Sequence, residues 1–472
     1  MKDTEKSRGS ITVFLSLILL ILISIIAQVM QEAVFQADRI KLASAMDISL
    51  NAVLGEYCKE LVEEYGLFFV DTSDDNGVFD REVIASRLDY YMYKNVQEQS
   101  GMLQMELYDT KIKEIVLATD NNGTAFVKEA VKAYKETMVA NAVQTALQKL
   151  RDYEQAQSSR KTMEENQVKP SDLEVPDDIE VNKEEKEKAE KIVNPVQIIE
   201  KLKTNMLLGI VASDLDISSN VMDLSGALEK RKLQKGNSKN QESISVSDKV
   251  IFDLYLKDQF SSFGNQKKED NSGCLRYEME YLVSGKAGDR ENLNTALEKI
   301  IFIREAINFV YLLSDSAKMA QAEALASALV GYTGMAPLIV AMKFAILAAW
   351  AYGESLLEVR ILLTGGKTDF FKNNENWKLD LKNLENIASI VRGEAKGDEQ
   401  GMAYEDYLWL LLSVCSQKDK CFRSMDLMEK KIQHVTKGIS FRMDCCVTYL
   451  KAEASCVSRG GRSITVLKGM GF

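Results

Sequence analysis

The sequence predicts a helix-dominated α+β protein in which an N-terminal transmembrane helix continues into a long stalk helix and an α-rich external head. Three observations support this fold class. Twenty-three uncharged residues, Gly9 to Gln31, form one apolar run near the N-terminus. Apolar residues then recur at helical spacing along much of the chain. Near the C-terminus, a Gly-Gly pair between two β-prone runs predicts a hairpin.

The apolar run is long enough to cross a bilayer. About 20 apolar residues in helical form span the hydrocarbon core, and a helix satisfies every backbone amide there. Lys2, Lys6 and Arg8 precede the run and favour a cytoplasmic N-terminus. We therefore expect residues 1–31 to form a short tail and a single-pass anchor in the cell membrane, with the lipid bilayer as partner and the head extracellular. The residues chosen to represent the span are Ile11, Phe14, Leu20, Ile26 and Val29.

A cleaved signal peptide is the main alternative to this anchor. Signal peptides have an apolar core of about 7–15 residues, followed by a small-residue cleavage site. Here the core is longer, and residues Gln28 to Phe35 contain no Ala-x-Ala motif, so an uncleaved anchor is favoured. A buried helix of a soluble domain is a further alternative, which the absence of any charge in the run disfavours.

Beyond the run, apolar residues continue along one helical face, and no Gly or Pro interrupts them before Gly55. The membrane helix is therefore expected to continue as a stalk. Its apolar positions are Phe35, Leu42, Met46, Leu50, Val53, Tyr57 and Leu61. The residues expected to mark its passage into water are Glu32, Asp38, Arg39 and Lys41.

Residues 32–160 are expected to combine this stalk with a first α+β region. The pattern predicts a strand at Gly66–Asp71, a helix at Phe79–Val96 and a strand at Lys111–Thr119, after which Asn121-Asn-Gly123 opens another long helix. The acidic cluster at residues 71–77 suggests a calcium loop, but it lacks the alternating ligands and closing Glu of an EF-hand. A plain turn is favoured.

Residues 161–245 are predicted to form a polar, acidic linker with a short helix near 195–210. No aromatic residue occurs between Tyr153 and Phe252, so the segment has little apolar area to bury. Its basic cluster is interpreted as a solvated loop, and the net charge of −11 argues against a nucleic-acid partner. The cluster consists of Lys230, Arg231, Lys232, Lys235 and Lys239.

Residues 246–438 are predicted to form an α-rich domain. A helical stripe covers 293–313, and the helices that follow are predicted at Ala317–Val330, Met402–Cys415 and Lys420–Lys437.

The segment Ala336–Leu363 in this domain is apolar enough to suggest a second membrane crossing. Lys343 near its middle would cost at least ~2.5 kcal/mol in a bilayer, so a buried central helix is favoured.

Residues 439–472 are expected to form the C-terminal hairpin region. Ile439–Val457 and Ser463–Leu467 have β-branched and aromatic character, and Gly460-Gly461 between them is a turn signal.

Catalytic motifs are scarce. His434 is the only histidine, and the chain contains no Gly-x-Ser-x-Gly elbow, phosphate-binding Gly-rich loop or His-Glu-x-x-His. We expect no enzyme activity, no metal and no cofactor. Among the seven cysteines, Cys415 and Cys421 flank a predicted turn and form one candidate disulfide, although small core residues without disulfides are the favoured interpretation.

The N-terminal motif carries a resemblance to a known family. The residues from Arg8 to Phe14, Arg-Gly-Ser-Ile-Thr-Val-Phe, followed by an apolar helix, resemble the start of the TadE/TadG-like pseudopilins of tight-adherence pili. The resemblance implies cleavage by a prepilin peptidase between Gly9 and Ser10. It also implies other pilus or pseudopilin subunits and the pilus secretion machinery as partners.

Most of the chain, with a gap in the middle, is similar to an uncharacterised Gram-positive family that tends to accompany such pilus genes. The similar stretches are residues 45–57, 64–71, 303–314, 349–355 and 404–408. One position departs from the pilin pattern, because pilins carry Glu at the fifth position after the cut and Phe14 stands there in this chain. Since that Glu pairs with a neighbouring subunit, its absence argues against a place deep in a filament.

These observations lead to one functional hypothesis and two alternatives. We expect a membrane-anchored, pseudopilin-like structural protein that takes part in assembling or anchoring a tight-adherence-type surface pilus. A membrane-tethered binding or sensor module unrelated to pili is the first alternative. An anchored hydrolase of the cell envelope is the second.

Overall fold

The computed structural model describes residues 3–73, 77–96, 105–137, 141–166, 183–238, 243–266, 274–393, 397–399, 401–436, 440–458 and 460–472. Helices dominate and one small antiparallel sheet accompanies them, which confirms the predicted helix-rich α+β class. The chain divides into two compact units. Unit 1 comprises Met1–Glu129, Lys232–Ser243 and Ile432–Phe472, and unit 2 comprises Ala130–Arg231 and Ile244–Lys431. The predicted domains followed the chain in order, whereas each unit combines separate segments.

Unit 1 is built around one long helix and the sheet. Its elements are α1 (Asp3–Leu54), α2 (Lys59–Tyr65), β1 (Val70–Asp71), α3 (Arg81–Val96), β2 (Met105–Leu117), the start of α4 (Asp120–Thr137), β3 (Cys446–Ser458) and β4 (Ser463–Gly471). Helix α1 continues unbroken for 52 residues because no Pro and no Gly after Gly9 interrupts it. The predicted stalk is therefore the second half of α1, whose first half is the apolar run.

Strand β3 is the centre of the sheet. It pairs antiparallel with β2 along one side, and with β4 and the short β1 along the other. Strands β3 and β4 form the predicted C-terminal hairpin, and Gly461 takes the positive φ that its turn requires. Because β2 and β3 lie more than 300 residues apart in the chain, the sheet joins the N-terminal and C-terminal parts.

Helices α1 and α3 cover one face of this sheet. Leu42, Met46, Leu50 and Val53 of α1 are fully buried, at the spacing of one helical face. They share a core with Leu88 of α3 and with inward-facing residues of all four strands. The inward positions of the C-terminal hairpin include Leu450, Ala452, Ala454, Ile464 and Val466.

Two predicted elements of unit 1 differ from the structure. The strand expected at Gly66–Asp71 is reduced to β1, because Gly66 adopts a left-handed conformation that ends α2. The strand expected at Lys111–Thr119 begins earlier, at Met105, since β3 provides a partner over that whole length. Residues 74–76 of the predicted turn lie outside the described residues.

The end of the linker predicted at 161–245 also differs. Asn237 N donates to the Ile115 carbonyl at 3.1 Å, and Gly236 N donates to Asp120 Oδ1 at 3.0 Å, so this part of the chain is fixed along β2. A Cβ at Gly236 would lie 2.3 Å from the Ile115 carbonyl, which explains the glycine. In the basic cluster, Arg231 forms a bidentate ion pair with Glu429 and is therefore not a solvated charge. Lys239 lies outside the described residues.

Unit 2 is helical. Its core is formed by α11 (Asp289–Ser314) and α13 (Ala336–Leu363), which pack against each other and against α12 (Ser316–Val330). The helices are the end of α4, α5 (Asn141–Asn166), α6 (Lys183–Glu190), α7 (Pro195–Lys203), α8 (Leu207–Val211), α9 (Val246–Gln259), α10 (Glu278–Ser284), α11, α12, α13, α14 (Ile387–Ile390), α15 (Tyr404–Val414) and α16 (Gln417–Val435, which extends into unit 1).

Candidate functional site: the membrane anchor and its seat

The N-terminal half of α1 is a candidate membrane anchor. All five residues chosen to represent the span project from the helix with 54–68% of their surface exposed. An uninterrupted apolar surface of this size is not stable in water, but it is the surface that a bilayer solvates. Twenty-three helical residues are about 34 Å long, enough for a hydrocarbon core of roughly 30 Å. Gly9 and Ser10 lie in the first turns of this helix.

Helix α13 is the second described helix that is long and apolar enough to cross a membrane. It differs from α1 because most of its residues are buried inside unit 2. The charged residues Glu354, Glu358 and Arg360 are buried with them and have partners there. Its described position is that of the buried central helix that the sequence favoured.

The apolar run of α1 ends where the hairpin turn contacts the helix. Arg462 Nη1 lies 3.1 Å from Glu32 Oε2, and the Arg462 guanidinium lies over the Phe35 ring at 5.3 Å from its centre. Ser458 Oγ donates a hydrogen bond to Asp38 Oδ2. We call these five residues the collar. The collar begins one residue after Gln31, so the part of α1 that packs on the sheet starts where the predicted span ends. We call this part, residues 32–54, the seat.

Asp38 is the residue of the collar whose position differs from the prediction. It was expected to mark the passage into water, yet only 1% of its surface is exposed. Ser458 occupies one carboxylate oxygen, while Oδ1 is buried and has no hydrogen-bond partner among the described residues. A short polar side chain on the inner face of a helix gives no signal in a local pattern, because burial depends on β3 lying opposite.

Above the collar, α1 is held mainly by apolar contact. Its inner face contributes the four fully buried side chains. Two polar contacts accompany them: Lys468 Nζ lies 3.1 Å from Asp47 Oδ2, and Asn95 Nδ2 lies 3.2 Å from Ser49 Oγ. Both Lys468 and Asp47 are about 40% exposed, so their ion pair adds little. The seat therefore depends on shape and apolar area.

The candidate disulfide is not formed in the structure. Cys415 and Cys421 are free thiols, and each has its own neighbour: Cys415 Sγ lies 3.3 Å from the Leu411 carbonyl, and Gln417 Nε2 donates to Cys421 Sγ at 3.2 Å. Cys421 is buried one turn inside α16, whereas Cys415 ends α15, so their side chains belong to different surroundings. Burial raises the pKa of Cys421 to about 12, which keeps the thiol protonated and unreactive.

Unit 2 contains a buried charge network that no sequence motif signalled. Arg304 Nε lies 2.8 Å from Glu358 Oε2, and Lys372 Nζ lies 2.7 Å from both Glu358 and Glu354. Arg304 also donates to the carbonyls of Asp369 and Phe370 at 3.0 and 2.7 Å. Burial alone would raise the pKa of Glu358, but Arg304 and Lys372 outweigh burial and hold it below its ordinary value. The charges neutralise one another and fasten the loop after α13 to α11.

Three further carboxyl groups of unit 2 are buried, and their partners do not offset the effect of burial on their pKa values. Burial raises the pKa of Glu280 to about 7, that of Asp426 to about 7 and that of Asp253 to about 6. Glu280 accepts from Tyr404 Oη at 3.0 Å and from Phe263 N at 2.9 Å. Within the described part of the chain, no group of three His, Cys, Asp or Glu residues is arranged to hold a metal ion.

The fold and the anchor define the general class, an α+β protein with an N-terminal candidate membrane helix. A family model described as a family of unknown function, DUF5702, matches residues 183–458, which is more than half of the chain. The chain belongs to this family. Comparisons with curated proteins and with solved structures gave no match.

Proposed function

We propose that this protein is a pseudopilin-like structural protein, anchored in the cell membrane by α1, that takes part in assembling or anchoring a tight-adherence-type surface pilus. The observation that supports the proposal best is the division of α1 into an exposed apolar half and a half seated on an antiparallel sheet. A membrane helix that continues unbroken into a globular head is the plan of pilin-like proteins. This support is an analogy of architecture.

The proposed mechanism is mechanical. Each of the four fully buried side chains of the seat contributes about 2 kcal/mol by leaving water. Because the helix has no break between residue 3 and residue 54, a displacement of the membrane half is transmitted to the seated half and to the sheet. The anchor would dock against pilus machinery in the bilayer while the head contacts other subunits or the wall.

The orientation follows from charge. Lys2, Lys6 and Arg8 favour a cytoplasmic N-terminus, which leaves the residues after the anchor outside the cell. The expected partners are the bilayer, other pilus or pseudopilin subunits and the secretion machinery. No catalytic step is required of the chain.

Phe14, at the position where pilins carry Glu, restricts the proposed role in the pilus. The membrane half of α1 carries no carboxylate among residues 11–31, so it offers no acidic partner for the amino terminus of a neighbouring subunit. A subunit without that contact suits a place in the assembly machinery or at the base of a pilus better than a place in the filament core.

An anchor exchange tests the proposal. In one variant, residues 11–31 are replaced by an unrelated single-pass transmembrane sequence of equal length, while the tail and the head stay unchanged. We expect the head to be displayed at the normal level and surface piliation, measured by electron microscopy, to be lost. As a control, Ile26→Leu preserves the apolar surface and should leave piliation unchanged.

Normal piliation in cells that display the exchanged anchor would contradict docking through the helix. Normal piliation in cells that lack the whole chain would contradict the pilus role itself and favour the tethered binding or sensor module. Surface labelling of the head verifies that the first cells display it and that the second cells lack it, so the two outcomes are distinguishable.

A further inference from the structure

The two edges of the unit 1 sheet differ. At the β2 edge, Asn237 is bound to the backbone of the strand: it donates to the carbonyls of Ile115 and Lys113 at 3.1 and 2.8 Å, and its Oδ1 accepts from Ile115 N at 2.7 Å. Strand β2 also shifts register against β3 at three points. Bulges and a covering segment are two ways in which proteins prevent an edge from pairing with another chain.

The β4 edge has neither device. Its register with β3 is uninterrupted from Tyr449↔Gly471 to Val457↔Ser463. Ser458 N donates to the Arg462 carbonyl and Phe472 N donates to the Thr448 carbonyl, so the even-numbered residues of β4 form the hydrogen-bonded pairs with β3. Alternate residues therefore direct their N–H and C=O groups away from the sheet. These residues are Ser463, Thr465, Leu467, Gly469 and Gly471.

No other part of the described chain closes this edge. Among the described residues, no backbone hydrogen bond from outside β3 reaches the five outward positions. None of the five is charged or a proline, although Lys and Pro are the residues that commonly prevent an open edge from pairing with another chain. The one lysine of the strand, Lys468, pairs with Asp47 on the helix side of the sheet. Leu467 is half exposed on the opposite face.

We infer that the β4 edge is a docking site for an extended strand of a partner polypeptide, which adds to the sheet as a further strand. The free N–H and C=O groups specify an extended backbone as the ligand. The partner strand is uncharged along its contact, because the outward residues of β4 offer no counter-charge. It also places an apolar side chain beside Leu467, as cross-strand neighbours do.

Antiparallel pairing of the β4 edges of two copies does not fit the site, a step that rests on the proposed anchor. Helix α1 and strand β4 run in the same direction, since Glu32 contacts Arg462 and Asp47 contacts Lys468. Antiparallel pairing of two β4 strands would therefore point their anchors in opposite directions, and one bilayer would not hold both. The β2 edge of another copy is bound at Lys113 and Ile115 by its own Asn237. The occupant is a different polypeptide.

Site-specific photo-crosslinking in intact cells tests this inference. The full-length chain carries a benzophenone amino acid at position 463, 465 or 467, and at Val457 as the control. Val457 is exposed and lies on the central strand, which is paired on both sides. We expect adducts from the three β4 positions to one polypeptide, at sites that move by two residues at each step.

This series of crosslink sites, which we call the ladder, follows from the two-residue repeat of paired strands. Adducts that do not exceed those of the Val457 control, that scatter over many proteins, or that join β4 to β4 of a second copy would overturn the inference. The ladder does not depend on piliation, so its failure and the failure of the pilus proposal are distinguishable.

Edge-blocking variants make the test independent of the crosslinker. With the benzophenone at position 463, Thr465→Pro removes an outward N–H without removing a bond to β3, and Leu467→Lys adds a guarding charge. We expect each to lower the adduct yield by at least about tenfold. Thr465→Ala and Val457→Lys, the matched controls, should leave it unchanged. Hydrogen exchange of β3 verifies the fold, and undiminished adducts in a folded Leu467→Lys variant would overturn the inference.

Discussion

The ion pairs compared in unit 1 and unit 2 differ in their exposure to water. In unit 1 the ion pairs Glu32–Arg462, Asp47–Lys468 and Lys113–Glu453 lie at the surface, with every side chain at least 32% exposed. In unit 2 Arg304, Glu358, Glu354 and Lys372 have almost no contact with water. Exposed pairs contribute little to stability, whereas a buried network fails when one member is removed. The seat of the anchor is thus an apolar contact, while unit 2 depends on charge.

The largest expected effect is the loss of a buried charge in unit 2. Arg304→Met leaves Glu358 in the core without its closest partner, so we expect unit 2 to lose about 3–5 kcal/mol in free energy of unfolding. The readout is hydrogen exchange of peptides from each unit in the full-length protein. Arg160→Met is the control, since Arg160 and Glu164 are both about half exposed and their pair should contribute less than about 1 kcal/mol. Equal losses in the two variants would contradict the comparison.

The next effect concerns the seat in unit 1. Leu50→Ala removes a fully buried side chain of α1 and should lower the stability of unit 1 by about 2–5 kcal/mol, the usual cost of a large-to-small change in a core. Ile48→Ala, two residues away on the exposed face, should cost less than about 0.5 kcal/mol. The same exchange experiment measures both. A seat that tolerates Leu50→Ala as well as Ile48→Ala would not be apolar in origin.

A third effect is a dependence of unit 2 on pH. Glu280, Asp426 and Asp253 have pKa values raised by burial to about 7, 7 and 6, above the ordinary values of 4.5, 3.8 and 3.8 for these groups. The folded unit therefore holds protons that the unfolded chain has released, and the stability that these three groups contribute is greatest below about pH 4 and falls as the pH rises to about 7. We expect a loss of a few kcal/mol across this window.

Denaturant unfolding at a series of pH values, followed by exchange in unit 2 peptides, measures this slope. Glu280→Gln replaces the titrating group by a neutral amide and should flatten part of it. A stability of unit 2 that rises between pH 4.5 and 7 would contradict the assignment.

The smallest effect is expected at the surface of the seat. Lys468→Met keeps most of the side-chain length and removes only the pair with Asp47, so it should change the stability of unit 1 by less than about 1 kcal/mol. High salt should have a similarly small effect on the wild type, because exposed charges are screened. A loss as large as that of Leu50→Ala would mean that charge holds the anchor.

Local pattern predicted the elements whose neighbours are close in sequence. The continuous α1, the hairpin around Gly461 and the buried α13 all follow from periodicity, turn residues and the charges inside an apolar run. The pairing of β2 with β3 did not follow, because it joins segments that lie more than 300 residues apart. The strand expected from Gly66 failed for a local reason, the left-handed conformation of that glycine.

The candidate site divides in the same way. The candidate membrane anchor in the first half of α1 was predicted from composition alone. The burial of Asp38 and the position of Asn237 along β2 required the tertiary partners Ser458 and Ile115, which no local signal identifies. The network of Arg304, Glu358 and Lys372 was missed because charged residues are ordinarily solvated.

We propose above all that α1 is an uncleaved anchor that holds the head outside the cell. Protease treatment of intact cells, with mass spectrometry of both the released peptides and the retained membrane fragment, tests it most directly. We expect released peptides from across residues 66–472 and a retained fragment that contains residues 11–31, with Ser10 as its first residue if a prepilin peptidase acts. A head that is cut only after lysis, or a mature chain that begins after Gln31, would contradict the account.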